Sequence, residues 1–224
     1  MRPPASQAFV GSDASGTPDP VLGSVLSPQA TNGTPEDSVV ISSYTTINGQ
    51  YGDGTSYTLQ KPNYTFGSNT PAFYSVRLAP QLVGMGLLEA VSESTVQALA
   101  NADNAGTNGI YGRLQTVTDP QTGQPRLGRF GYKAGRARVS QQIAGALNND
   151  MGVTTSIFPV LDGDTNSGPV ELSDSDLTNW TRYISCLGVN ARRSLTDTQC
   201  LQGEQLFISA NCVQCHTPTL QTGP

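Results

Sequence analysis

Histidine is nearly absent from this chain: 224 residues contain one, His216. Charge is scarce too, at 13% of residues, and 12 Lys and Arg face 17 Asp and Glu for a formal net charge of −5. A chain of that sign lacks the electrostatic footprint of a nucleic-acid groove or of a binder of anionic membrane surfaces. Long apolar runs are missing: none approaches 18 residues, so no transmembrane helix is expected. Residues Met1 to Gln7 hold no apolar h-region, so no secretory signal peptide is visible. Hydrophobic residues make up 36%, too few for a membrane protein and enough for a modest core. Glycine and proline are plentiful, at 24 and 15, above average usage. Much of the chain therefore reads as loop, and a helical bundle is not expected.

His216 closes the run Cys212-Val213-Gln214-Cys215-His216. C-x-x-C-H is the c-type haem attachment sequence. Two thiols three residues apart can each add across one vinyl group of the same porphyrin, and the adjacent imidazole then reaches the iron from the proximal side. Upstream, Gly203 to Phe207 reads as a helix whose Leu206 and Phe207 form an apolar face suited to a haem edge. The alternatives are a local disulfide or half of a zinc site, which would need further ligands from the other two thiols, Cys186 and Cys200. Eight residues follow His216, and Met1, Met85 and Met151 all lie upstream. A fragment is expected, ending before the walls and distal ligand of a haem pocket.

Along the chain, residues 1–37 read as an irregular arm. Residues 38–60 read as a β-hairpin, with Val39, Val40, Ile41 and Tyr44 in one strand, Tyr57 and Leu59 in the other, and a turn from Gly49 to Gly54. Residues 61–80 read as loop, punctuated by Pro62, Pro71 and Pro80. An apolar segment from Leu82 to Val91 precedes a helix capped by Ser92, with Val96, Leu99 and Ala100 as its buried stripe. Residues 103–136 are loop-like. A helix over 137–148 places Val139, Ile143, Ala144 and Leu147 on one face. A second over 173–187 starts with Ser173 and Asp176 as a capping-box variant, buries Leu177, Trp180, Ile184 and Leu187, and stops at Gly188. A last helix runs from about Thr196 to Ala210.

Three blocks resemble one known family: Arg77 to Val91; Leu127 to Gly135, continuing through Gln141 to Ala146 and Asn149 to Gly152; and Gly203 to Gly223. Together they are similar to the di-haem c-type oxidoreductases with peroxidase-like members, distant relatives of bacterial di-haem cytochrome c peroxidases. The resemblance implies a mainly α fold with much loop and a small β-hairpin, in two cytochrome c-like domains, here truncated. Residues 38–190 would be the rest of a first, peroxidatic-side domain and 191–224 the start of a second. Members carry a first C-x-x-C-H just before an Arg-Pro-Pro stretch. This chain begins at that stretch, Met1-Arg2-Pro3-Pro4, so a second haem c is expected in the full-length protein. The cell envelope of a bacterium, the periplasm, is the implied location. A peroxide or other small oxidant is the implied substrate, and a small electron-donor or acceptor protein the implied partner.

The resemblance also implies roles for single residues. The peroxidases show a Gly-Arg segment, then a Gln that orients the peroxide, then an acid before Met that moves a proton during O–O cleavage. The similar positions are Gln142 and Asp150, with Asp where the peroxidases have Glu and with a shorter separation. The plain alternatives are a structural amide and a solvated carboxylate at a helix end. Tyr132 stands where the family commonly has Trp and would be an aromatic between two haems, or else a core residue. Glu89 is either a buried functional acid or a residue with a helix-cap or surface role. Residues 101–109 resemble a family loop that holds calcium, but Asp103 is its only charged ligand. Cys186 and Cys200, with 13 residues between, would gain about 2–3 kcal/mol from a disulfide in an oxidising compartment, or stay buried free thiols. Two functions fit: a di-haem peroxidase-like enzyme, or a non-catalytic electron-transfer cytochrome. An oxygenase on the same scaffold is a third.

Overall fold

The computed structural model describes residues 6–11, 17–28, 30, 33–35, 37–102, 112–166 and 168–223. The described residues are 29% helical and 23% strand, with five helices and three small sheets. This corrects the expectation of a mainly α, cytochrome c-like fold. The excess strand comes from segments whose prolines and glycines read as loop. The chain divides into two compact units, 1–79 with 145–172 and 80–144 with 173–224.

In the first unit, β1 (Ser6–Gly11) pairs antiparallel with β4 (Phe73–Leu78), Ser6 opposite Leu78. The irregular arm thus contains a strand whose partner lies far along the sequence. The expected hairpin is present as β2 (Val39–Gln50) and β3 (Ser56–Phe66). The second strand runs past Pro62, which faces Tyr44. A two-stranded ribbon leaves alternate N–H groups unpaired at its edge, where proline is tolerated. Val10, Leu22, Leu26 and Phe66 form the buried cluster, with Val39, Tyr64 and Val76 packed against it. Leu22 is only 1% exposed, and the two residues that follow Gly23 are held by long-range polar contacts: Asp162 accepts from the Ser24 N–H (2.7 Å), the Ser24 hydroxyl (2.8 Å) and the Val25 N–H (3.2 Å). Leu22→Ala removes three buried carbons and should cost about 2–5 kcal/mol, read as a lower urea midpoint with an unchanged slope.

Asp37 closes the other end of the hairpin. Its carboxylate accepts from the N–H groups of Ser38 (2.7 Å), Ser68 (2.9 Å) and Asn69 (2.6 Å). These bonds, that of Ser38 foremost, hold its pKa below the ordinary 3.8.

In the second unit, α1 (Met85–Ala90) and α2 (Glu93–Ala102) replace the single expected helix. Ser92 caps α2 as expected, its hydroxyl accepting from the Thr95 N–H at 3.0 Å. Of the expected stripe, Ala100 is buried but Leu99 is exposed. A short hairpin of β5 (Thr116–Thr118) and β6 (Pro125–Leu127) follows. The helix α3 (Val139–Met151), whose residues from 145 on are counted with the first unit, buries Val139, Ile143, Ala144 and Leu147, as its period demands. Ser173 caps α4 (Asp174–Ser185), accepting from the Asp176 N–H, and Leu177 is buried. Trp180, expected in the core, is 46% exposed, and Gly188 has no left-handed φ. The helices α1 and α4 cross closely, since a Cβ at Gly86 would run into the Ser185 carbonyl. Among the described residues no helix is long and apolar enough to cross a membrane.

Candidate functional site

The helix α5 (Thr198–Ser209) starts at Asp197, whose carboxylate accepts from the Cys200 N–H at 3.0 Å. It ends as Asn211 turns left-handed at φ 60, a conformation Asn tolerates. The chain then winds one further turn: the N–H groups of Cys215 and His216 both donate to the Cys212 carbonyl, at 3.2 and 2.9 Å. Residues three and four apart in a helical turn are neighbours, so Cys215 and His216 both stand next to Cys212, one turn on. The His216 ring lies 5.6 Å from the Phe207 ring, tilted by 59°. The tail is tied down as well, since Gln221 accepts from the Ser92 N–H (3.2 Å) and Gly223 donates to the Ala90 carbonyl (2.7 Å). The first and third sequence blocks thereby meet.

All four cysteines are free thiols. Cys186 ends α4 and Cys200 lies in the first turn of α5, both exposed. The Cys186–Cys200 disulfide expected from the spacing is not formed, nor are these the buried thiols of the alternative. No three His, Cys, Asp or Glu side chains converge as a metal site among the described residues, so a zinc reading finds no ligand set. A haem asks less of the chain. Its iron already has four ring nitrogens, so two thiols and one imidazole within one turn suffice. None of the residues of α5 is buried; Leu206 is 68% exposed, and Leu201, Phe207 and Ile208 are exposed with it. Apolar side chains beside this donor set suit the flat apolar faces of a porphyrin. The residues present fit the group.

Tyr132, half-buried, lies in a tight loop whose ends are pinned by a bridge between Phe130 and Arg136. Its neighbours Lys133 and Ala134 hold φ 58 and 52. A Cβ at Gly128 would strike the Ala134 carbonyl oxygen, so only glycine allows the close approach. Gln142 is half-buried with its amide oxygen beside Gly131, and Asp150 is exposed in the last turn of α3. They stand eight positions apart, about 12 Å along a helix axis, so this helix does not bring them together. Asp103 and the rest of 103–111 lie outside the described residues, the expected calcium loop with them.

Several polar anchors were not legible in the sequence. Glu89 proves to be a cap, but of α3, accepting from the Val139 N–H at 2.9 Å. Arg129 donates to the Leu88 and Val91 carbonyls (3.1 and 2.6 Å), closing the end of α1. Gln141 is buried, its amide oxygen accepting from the Ala137 N–H at 3.1 Å. Asp119 is fully buried, with Arg138 and Arg126 at 3.4 and 3.8 Å and the Gln121 N–H at 2.9 Å. Burial pushes its carboxyl up, but the Gln121 N–H, Arg138, the Thr122 N–H and Arg126 outweigh this and hold it below the usual 3.8.

The lowered values of Asp37 and Asp119 give stability that is complete above the unfolded carboxylate pKa and is lost as pH falls through the lower folded values. Urea midpoints should therefore fall steeply below about pH 4. Asp37→Asn and Asp119→Asn, measured separately, should be destabilised at neutral pH and show a flatter acid limb. An unchanged acid limb in both would disprove the assignment.

The family model described as "Di-haem oxidoreductase, putative peroxidase" matches residues 72–224. No curated protein and no solved structure matches the chain. The match takes in the motif turn, α5, the Tyr132 loop and all of α3, and by it the chain belongs to the di-haem oxidoreductase family.

Proposed function

We propose that this chain is part of a peroxidase-like, di-haem c-type oxidoreductase of the bacterial periplasm. The observation that carries this is the single turn that sets Cys215 and His216 next to Cys212, with the imidazole against Phe207. Cys212 and Cys215 hold the porphyrin by two thioether bonds, and His216 offers an imidazole nitrogen to the iron. Bound there, the haem supplies a one-electron redox centre.

Peroxide reduction consumes two electrons and two protons and releases two waters. The electrons come singly from a small donor protein. By the resemblance, Gln142 would orient the peroxide through its amide, or Asp150 would hold the proton delivered as the O–O bond breaks; each role is taken singly. Tyr132, in its pinned loop, serves as an aromatic step for electrons. The distance of Gln142 from Asp150 along α3 favours one other reading, a cytochrome that transfers electrons without catalysis.

Pyridine haemochrome absorbance tests the shared premise in protein matured by a host with cytochrome maturation. The expected result is one covalently held haem for this motif, and a second for the motif expected upstream in the full-length protein. A mature protein with no covalent haem removes both readings.

A further inference from the structure

Arg126, Arg129, Lys133, Arg136 and Arg138 are five of the chain's 12 cations, gathered into one short segment. No Asp or Glu occurs from 120 to 149, and the other seven cations share the rest of the chain with all 17 acids. The fold concentrates the charge further. The Phe130–Arg136 bridge turns the segment back on itself. Arg126 and Arg138 then converge on Asp119, Arg129 and Arg136 meet through their backbones (2.8 Å), and Lys133 stands exposed at the tip.

Part of this charge is already engaged. Arg129 is turned to the carbonyls ending α1. Three acids come near: Asp119 between the two arginines, Glu89 on the Val139 N–H, and Glu93, which lines a groove with Arg126. The cations outnumber them, and Arg126 and Arg138 stay 45% and 42% exposed while sharing one carboxylate. The loop is also held rigidly. Left-handed backbone at two non-glycine residues persists only where the surroundings over-determine it.

We infer that this basic loop is the docking surface for an acidic protein, the one-electron donor that the function proposed above requires; the identity of the partner as a donor rests on that reading. A chain that is acidic elsewhere repels an acidic partner except over this loop, so the encounter is oriented as well as attracted. A long polyanion or an anionic bilayer would also meet the acidic remainder, whereas a compact acidic protein need not. Docking here brings the donor beside Tyr132.

Calorimetric titration of the haem-loaded full-length protein tests this, with reduced plastocyanin as the acidic probe and a basic mitochondrial cytochrome c as the contrast. Plastocyanin should bind, and binding should weaken on the order of tenfold between about 20 and about 200 mM salt. Lys133→Glu should weaken it on the order of tenfold, and Lys133→Asn, which keeps the left-handed backbone, by a smaller factor in the same direction. Carbodiimide cross-links should map to Lys133. Equal or tighter binding of the basic cytochrome overturns the inference. So do unchanged affinities in both Lys133 variants, or displacement of plastocyanin by duplex DNA or by vesicles of anionic lipid. No peroxide is present, so a failure of peroxidase turnover leaves this result standing, and loss of docking with turnover intact overturns the docking surface alone.

Discussion

The double substitution Cys212→Ser, Cys215→Ser should abolish covalent haem completely. A serine hydroxyl is a far weaker nucleophile than a thiol near neutral pH, so neither position can form its bond to a vinyl carbon. Intact mass after denaturation should equal that of the bare polypeptide, and acid–acetone extraction should release any porphyrin that remains. Cys212→Ser alone should retain one bond through Cys215 and keep the haem on the denatured chain. Neither sulfur is buried in the core, and substitutions at such positions usually change stability by no more than about 0.5 kcal/mol. A fall in haem content is therefore a chemical effect rather than unfolding. Full covalent loading of the double variant would end the haem c reading of this motif.

Asp150→Asn should lower peroxide turnover by about 10²–10⁴-fold, the usual worth of a positioned acid or base. The substitution keeps the shape of the side chain and removes its ability to take and return a proton. Asp150 is exposed at the end of α3, so folding should be unaffected and haem content unchanged. Gln142→Leu should weaken peroxide use by raising KM more than it lowers kcat, since an orienting amide acts on the bound peroxide. If both variants turn over peroxide like the wild type, the 12 Å that separate the two positions along a helix become decisive, and electron transfer without catalysis is the better account.

The functional motif was more legible than the fold. Five consecutive residues spell out the proposed attachment motif, because its chemistry depends only on a spacing of three and four residues within one turn. Capping was equally local: Ser92 and Ser173 each bond an N–H three residues on, and Asp197, not singled out in the sequence, does the same. The stripe of α3 was readable because one face of a long helix is buried. Trp180 misled because a helical stripe marks what could be buried, not whether a neighbour arrives to bury it. The end of β3 was hidden by Pro62, which a two-stranded ribbon accommodates at its open edge, and β4 by the prolines that flank it at 71 and 80.

By itself, then, the sequence determined the family, the turn from Cys212 to His216 and the helices with strong caps and period, all consequences of patterns within a few residues. Only the tertiary structure decided that β1 finds β4, that Glu89 caps a helix 50 residues away and that Arg126 and Arg138 share Asp119. Those partners are distant along the chain, and no local spacing encodes which buried donor meets which acceptor.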